Sequence, residues 1–189
     1  MAKTAEPVVY QLKVTLDETD PPVWRRLLVP ASISLKQLHG VLQKAMGWTN
    51  SHLHQFEVRD RTYGIPDPEF GENTLDEARA RLDQVLTREK DTIIYEYDFG
   101  DGWIHKVALE KIAKPVEGVV VPSCIAGARA CPPEDCGGVW GYQEFLQAVG
   151  DPSHPEHEEM LEWIGGPFDP ESFEVTEVNK RLAPRKRRA

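Results

Sequence analysis

The sequence predicts an α+β protein in which a mixed or antiparallel sheet wraps one helix and the last third of the chain is helical. Three observations carry this expectation. Residues 8–16 alternate strictly, with Tyr10, Leu12, Val14 and Leu16 on one side and Gln11, Lys13 and Thr15 on the other, which is the period of a half-buried strand. Residues 34–47 repeat apolar side chains at helical spacing between a capping pair and a glycine. Residues 95–105 read as two aromatic-rich strands closed by a glycine turn, the hairpin around which the rest is arranged.

Taken in order, residues 17–22 form a turn-rich link and residues 23–29 the returning strand of a first hairpin, stopped by Pro30. Ser34 and Gln37 make a capping box, Leu35, Leu38, Val41, Leu42, Ala45 and Met46 share one helix face, and Gly47 supplies a left-handed stop. A third strand follows at residues 53–59, and a turn at Asp60 and Arg61 lets residues 62–65 pair back. Residues 66–73 are a polar loop. Thr74 with Glu77 gives a second capping box, for a helix carrying Leu75, Ala78, Leu82, Val85 and Leu86, although residues 79–82 alternate well enough for a short strand. This order makes the N-terminal part β-grasp-like.

The central hairpin, about residues 92–112, allows two registers. A two-residue loop of Gly100 and Asp101 places Glu96 and Asp98 on the face of Trp103, His105 and Val107, burying acids. A three-residue loop of Gly100, Asp101 and Gly102, with Gly102 left-handed, sets Phe99 against Trp103, Tyr97 against His105 and Glu96 against Lys106. The second is expected, because it turns Ile93, Tyr95, Tyr97, Phe99, Trp103, His105, Val107 and Leu109 to one face.

Beyond Lys114, residues 124–138 form a cysteine loop rich in Gly and Pro, expected to lack regular structure. Helices return at residues 141–149, at a segment capped by Ser153 with Glu156 that carries Met160, Leu161 and Ile164 and ends at Gly165, and at a last segment marked by Val175, Val178 and Leu182. The whole reads as one domain over residues 8–182, sheet-rich at 8–113, with the cysteine loop at 114–138, helices at 139–182, and a basic tail at 183–189.

A chain of 189 residues with 40% hydrophobic content fills one core. It has no apolar run of membrane-spanning length and no signal-peptide core at its start, so a cytoplasmic protein without a membrane partner is expected. Three cysteines then argue for thiols or metal ligands over disulfides. The formal charge is −9, but Lys180, Arg181, Arg185, Lys186, Arg187 and Arg188 crowd the C-terminus. Without them the body is more acidic still and repels a phosphate backbone, so a protein or small-molecule partner is expected and nucleic acid is not.

Two groups of residues point to chemistry. Cys124, Cys131 and Cys136, with a histidine such as His105, His154 or His157, present donors for zinc, although their spacing is looser than paired C-x2-C knuckles and also fits small buried side chains. His52 and His54, projecting to one face of a strand, with His105 and with Asp98 or Asp101 nearby, are the candidates for a hydrolytic metal centre. Against this, Asp98 and Asp101 suit a turn whose carboxylates bond backbone N–H groups. Glu134 and Asp135 fit either a helix cap or an outer shell around a metal.

Residues 21–26 (Pro-Pro-Val-Trp-Arg-Arg), Met46-Gly47-Trp48 with residues 52–56, residues 97–105 and residues 131–138 together resemble the plasmid pRiA4b ORF-3-like family. The resemblance spans about residues 8–182. It implies a link to mobile elements but assigns no reaction. A resolvase label sometimes attached to the family implies an activated serine among arginines and a DNA-binding segment, and neither is legible here. The expectation is a binding or interaction module, with a metal-dependent hydrolase using His52, His54 and His105 as the alternative and a nucleic-acid-associated protein as the next.

Overall fold

The computed structural model describes residues 7–66 and 73–184. Its strands are β1 (Val9–Leu16), β2 (Trp24–Pro30), β3 (His54–Val58), β4 (Arg61–Gly64), β5 (Leu75–Asp76), β6 (Thr92–Tyr97), β7 (Trp103–Ala113) and β8 (Ser123–Ala128). Its helices are α1 (Leu35–Met46), α2 (Leu82–Val85), α3 (Gly138–Gly150), α4 (His157–Ile164) and α5 (Val175–Leu182). The strands make one open sheet in the order β5-β4-β3-β6-β7-β1-β2-β8, antiparallel except for the β4–β5 pair. This is the expected mixed α+β architecture, with helices concentrated toward the C-terminus.

The alternation of β1 holds: Tyr10, Leu12, Val14 and Leu16 are buried and the residues between them are half-buried. In α1, Ser34 N–H donates to Gln37 Oε1 at 2.9 Å and Gln37 N–H to Ser34 Oγ at 3.2 Å, so the reciprocal cap forms. Gly47 closes the helix at φ +104°, its N–H donating to Gln43 O. The inner face of α1 buries Leu35, Leu38 and Leu42 completely, each worth about 1.5–3 kcal/mol of transfer free energy. His39 and Gln43 share that face, and both bond Tyr95 Oη on the sheet.

The hairpin differs from the expected register by two residues. Tyr97 pairs with Trp103, Tyr95 with His105 and Glu96 with Ile104, across a five-residue loop. Because the shift is even, the faces survive: Ile93, Tyr95, Tyr97, Trp103, His105, Val107 and Leu109 are all buried. Gly102 is left-handed as expected, at φ +67°, and its N–H donates to Asp98 O. Phe99 is the casualty. It is thrown out of the ladder and is half exposed, while Asp98 is drawn in.

Three further expectations are corrected. Residues 74–86 are not one helix: β5 pairs with β4, Arg81 forms a bridge with Ser34, and only a single turn, α2, follows. The reason is Glu77, which is buried against His54 and so cannot cap a surface helix. The cysteine segment contains a regular strand, since β8 pairs with β2 and buries Cys124. Asn179 of α5 then takes up the outer edge of β8, accepting from Cys124 N at 2.7 Å and donating to Cys124 O at 2.9 Å. Finally, α4 starts without a Ser153 cap, as Ser153 N–H donates to Asp151 instead, but Gly165 does end it in the left-handed region. The polar loop at 67–72 and the basic residues at 185–189 lie outside the described residues.

Candidate metal centre

Three loops at one end of the sheet converge. His52 enters from the residues before β3, Asp98 from the hairpin loop, and Asp135 from the cysteine segment. His52 Nε2 lies 3.1 Å from Asp135 Oδ1 and 3.6 Å from Asp98 Oδ2. One ligand atom from each residue falls within 4.8 Å of the other two, the single such group of three among the described residues.

Local structure explains the convergence. Asp98 and Asp135 both take the left-handed conformation, at φ +59° and +60°, which a short carboxylate side chain tolerates better than most. Asp98 Oδ1 accepts from Gly100 N–H at 3.0 Å, which leaves Oδ2 facing His52. Asp98 N–H in turn donates to Leu53 O, tying the hairpin loop to the residue after His52. Asp135 is positioned by its neighbour: Glu134 accepts from Tyr97 Oη at 2.5 Å and from Thr49 N and Oγ1. Trp48 Nε1 donates to Pro132 O, and a Cβ on Gly138 would stand 2.4 Å from Asp101 O. The cysteine segment is therefore locked against the hairpin loop.

The chemistry of the donors is mixed nitrogen and oxygen. His52 Nε2 is shielded from solvent yet makes no hydrogen bond of normal geometry, although two carboxylates adjoin it. Two carboxylates bring the charge that balances a divalent ion, and a neutral imidazole brings a borderline donor. The Asp98 side chain is 10% exposed and that of Asp135 is 71% exposed, so the group opens to water on the Asp135 side.

His54 and His105 do not join this group. His54 points to the α1 face, where its Nε2 meets Glu77 Oε2 at 2.8 Å and its ring stacks on His39. His105 is fully buried among Trp48 and Tyr95, its Nδ1 near the carbonyls of Trp103 and Tyr95. Burial pulls the pKa of His105 down to about 4, and that of His39 likewise. His52 and His54 would share a face in a continuous strand, but β3 begins only at His54, and His52 lies in the loop before it, which turns its ring away.

The sulfurs of Cys124, Cys131 and Cys136 do not form a group of three within coordination distance. Cys124 sits in β8 under α5, while Cys131 and Cys136 line the loop. Burial raises the pKa of each, that of Cys136 to about 12. His154 lies in the turn before α4 and His157 is the first residue of that helix, its Nδ1 contacting Ala148 O at 2.8 Å. Asp101 keeps a structural role, since its Oδ2 accepts from Gly137 N–H. Asp135 is in direct contact with His52 and caps no helix, for Gly137 is the N-cap residue of α3. His39 carried no motif beyond a histidine and a glutamine four apart on the apolar side of α1, and the capping-box motif at Glu77 pointed to a helix start rather than to a partner for His54.

Residues 8–177 match the family model described as plasmid pRiA4b ORF-3-like protein. The chain belongs to the pRiA4b ORF-3-like family. A relative, the uncharacterized protein y4hQ of Sinorhizobium fredii (strain NBRC 101917 / NGR234), is 48% identical over 155 residues, covering 80% of this chain and 78% of its own. The crystal structure of a protein of unknown function, MM3350 from Methanosarcina mazei Go1, is similar with a TM-score of 0.83 at 40% identity, over 92% of this chain and 99% of that one. The pRiA4b ORF-3-like fold thus spans nearly the whole chain. No helix among its described residues is long and apolar enough to cross a membrane.

Proposed function

We propose that the protein is a metal-dependent hydrolase that holds a divalent ion at His52, Asp98 and Asp135. The observation that carries this reading is the convergence of one imidazole and two carboxylate donors within 4.8 Å, with Asp135 open to solvent. Structural zinc sites are closed by four protein ligands, whereas catalytic sites use three and leave a position for water. The ion would lower the pKa of that water and supply the nucleophile. Mixed N and O donors favour manganese, iron or zinc over calcium. A cleft of about 280 Å³ beside Asp135, walled by Glu144, Phe145 and Trp163, would receive the substrate.

The test is metal content of untagged protein by mass spectrometry, with calorimetric titration of chelator-treated protein with manganese and zinc. One ion per chain is expected, lost in His52→Ala and Asp98→Asn while the far-ultraviolet spectrum is kept. Metal-stimulated turnover of activated carboxylic or phosphoric esters should follow the same variants. Failure of the ion to bind, or binding untouched by either substitution, would sink the proposal.

A second reading is an interaction module, favoured by Trp140 and Trp163, which are 78% and 46% exposed on neighbouring helices. Metal binding without turnover of any ester would favour it.

A further inference from the structure

Arg25 holds a core position of β2, between Val23 and Leu27, and is 3% exposed. Its Nε donates to Ala45 O at 3.2 Å, and its Nη1 to Trp24 O and Ala128 O at 2.9 and 2.8 Å. The ring of Phe173 lies 4.6 Å from its Cζ. Every one of these partners is neutral. Arg181 of α5 brings a second guanidinium, its Nε donating to Lys44 O at 2.9 Å. Both arginines line one cleft of about 410 Å³.

The charges around the cleft do not balance. Among the described residues, no carboxylate oxygen lies within 4 Å of either guanidinium. The charged or ionisable groups acting on Arg25 are Cys131, Cys124 and Arg181. Burial raises the pKa of both thiols, so they remain neutral and are no counter-ions. Glu177, which also lines the cleft, is engaged by Lys180 at 2.6 Å, and Glu174 reaches neither arginine within 4 Å. Ala45 and Lys44 belong to the last turn of α1, whose end carries about half a negative charge. That offsets part of the charge on Arg25, whereas Arg181 is exposed and keeps its water. A cation withdrawn from water without a counter-ion is costly, and such a group is retained where something anionic completes it.

We propose that this cleft binds a small carboxylic acid with an apolar body. The carboxylate sits between Arg181 and Nη2 of Arg25, the nitrogen that the three carbonyls leave unused. The hydrocarbon lies against Met46, Ile164 and Phe168, which line the same cleft and favour an organic acid over inorganic phosphate. The site shares no ligand with the proposed metal centre.

The test is calorimetric titration of the full chain with hexanoate, benzoate, acetate and inorganic phosphate. Hexanoate or benzoate should bind saturably, acetate about tenfold or more weaker because it buries fewer methylenes. Arg181→Gln, on the exposed face of α5, should weaken hexanoate by about tenfold through loss of a charge-assisted bond. Phe168→Ala should weaken hexanoate and leave acetate unchanged. No saturable binding by any of these acids, equal affinity in Arg181→Gln, or binding of phosphate alone would overturn the proposal. So would a thiolate absorbance at neutral pH that disappears in Cys131→Ser, because the counter-ion would then be internal.

Discussion

His39 of α1 and His54 of β3 stack face to face, with ring centroids 3.4 Å apart and planes 4° from parallel. The stack is held at both ends, by Asn50 and Tyr95 on His39 and by Glu77 on His54. Together they make a polar seam between the helix and an otherwise apolar sheet face. Buried polar networks of this kind fix a register only when every member is satisfied.

Two buried histidines, His39 in this seam and His105 beside Trp48, imply an acid-sensitive fold. His39 and His105 both have folded pKa values of about 4, below the ordinary 6.5. The unfolded chain therefore binds more protons between those values, and stability falls as pH drops from about 6.5 toward 4 and levels below it. For the fully buried His105 the loss is on the order of 3 kcal/mol. Urea melts across this range should show it, and His105→Leu should flatten the slope; a midpoint that rises on acidification would contradict the assignment.

Glu77 is the acceptor that justifies His54 in the core. Glu77→Ala should cost about 1–3 kcal/mol by leaving a buried imidazole unpaired, with Glu77→Gln milder because it retains an acceptor oxygen. Equal denaturation midpoints for the two variants would argue against a specific bond.

In the hairpin loop, Gly102 is left-handed and Asp101 accepts one backbone bond. Gly102→Val should lower stability by about 1–3 kcal/mol, since a β-branched residue resists positive φ. Asp101→Asn keeps an acceptor and should be nearly silent. Thermal melts in which both behave alike would contradict this loop.

Asn179 occupies the backbone edge of β8. Asn179→Ala should free the Cys124 N–H and C=O, cost about 1–3 kcal/mol and expose an edge able to pair with another chain. Light scattering that shows no self-association, with an unchanged melt, would show that the edge is guarded by something else.

Local chemistry makes much of the fold legible in the sequence. The alternation of β1, the Ser34–Gln37 cap, the Gly47 stop and the one-sided aromatic face of the hairpin all follow from backbone geometry and short-range periodicity, which the sequence states directly. The segment at 74–86 misled because Glu77 fits a surface cap and a buried acceptor equally well on paper. Only the presence of His54 across the fold decides between them. Likewise Gly127 marks β8 as irregular in sequence, yet it is needed because a Cβ there would stand 2.5 Å from the Phe173 ring.

The candidate sites show the same division. His52 and Asp98 were recognisable by residue type and by the turn beside them, so the amino-acid sequence by itself fixed which local elements exist and which side chains have donor chemistry. It could not pair His52 with Asp135 or set Arg25 beside Arg181, because those groups lie 83 and 156 positions apart along the chain. Their meeting depends on how the sheet orders its strands and where α1 and α5 dock, and that is decided by packing of the whole core.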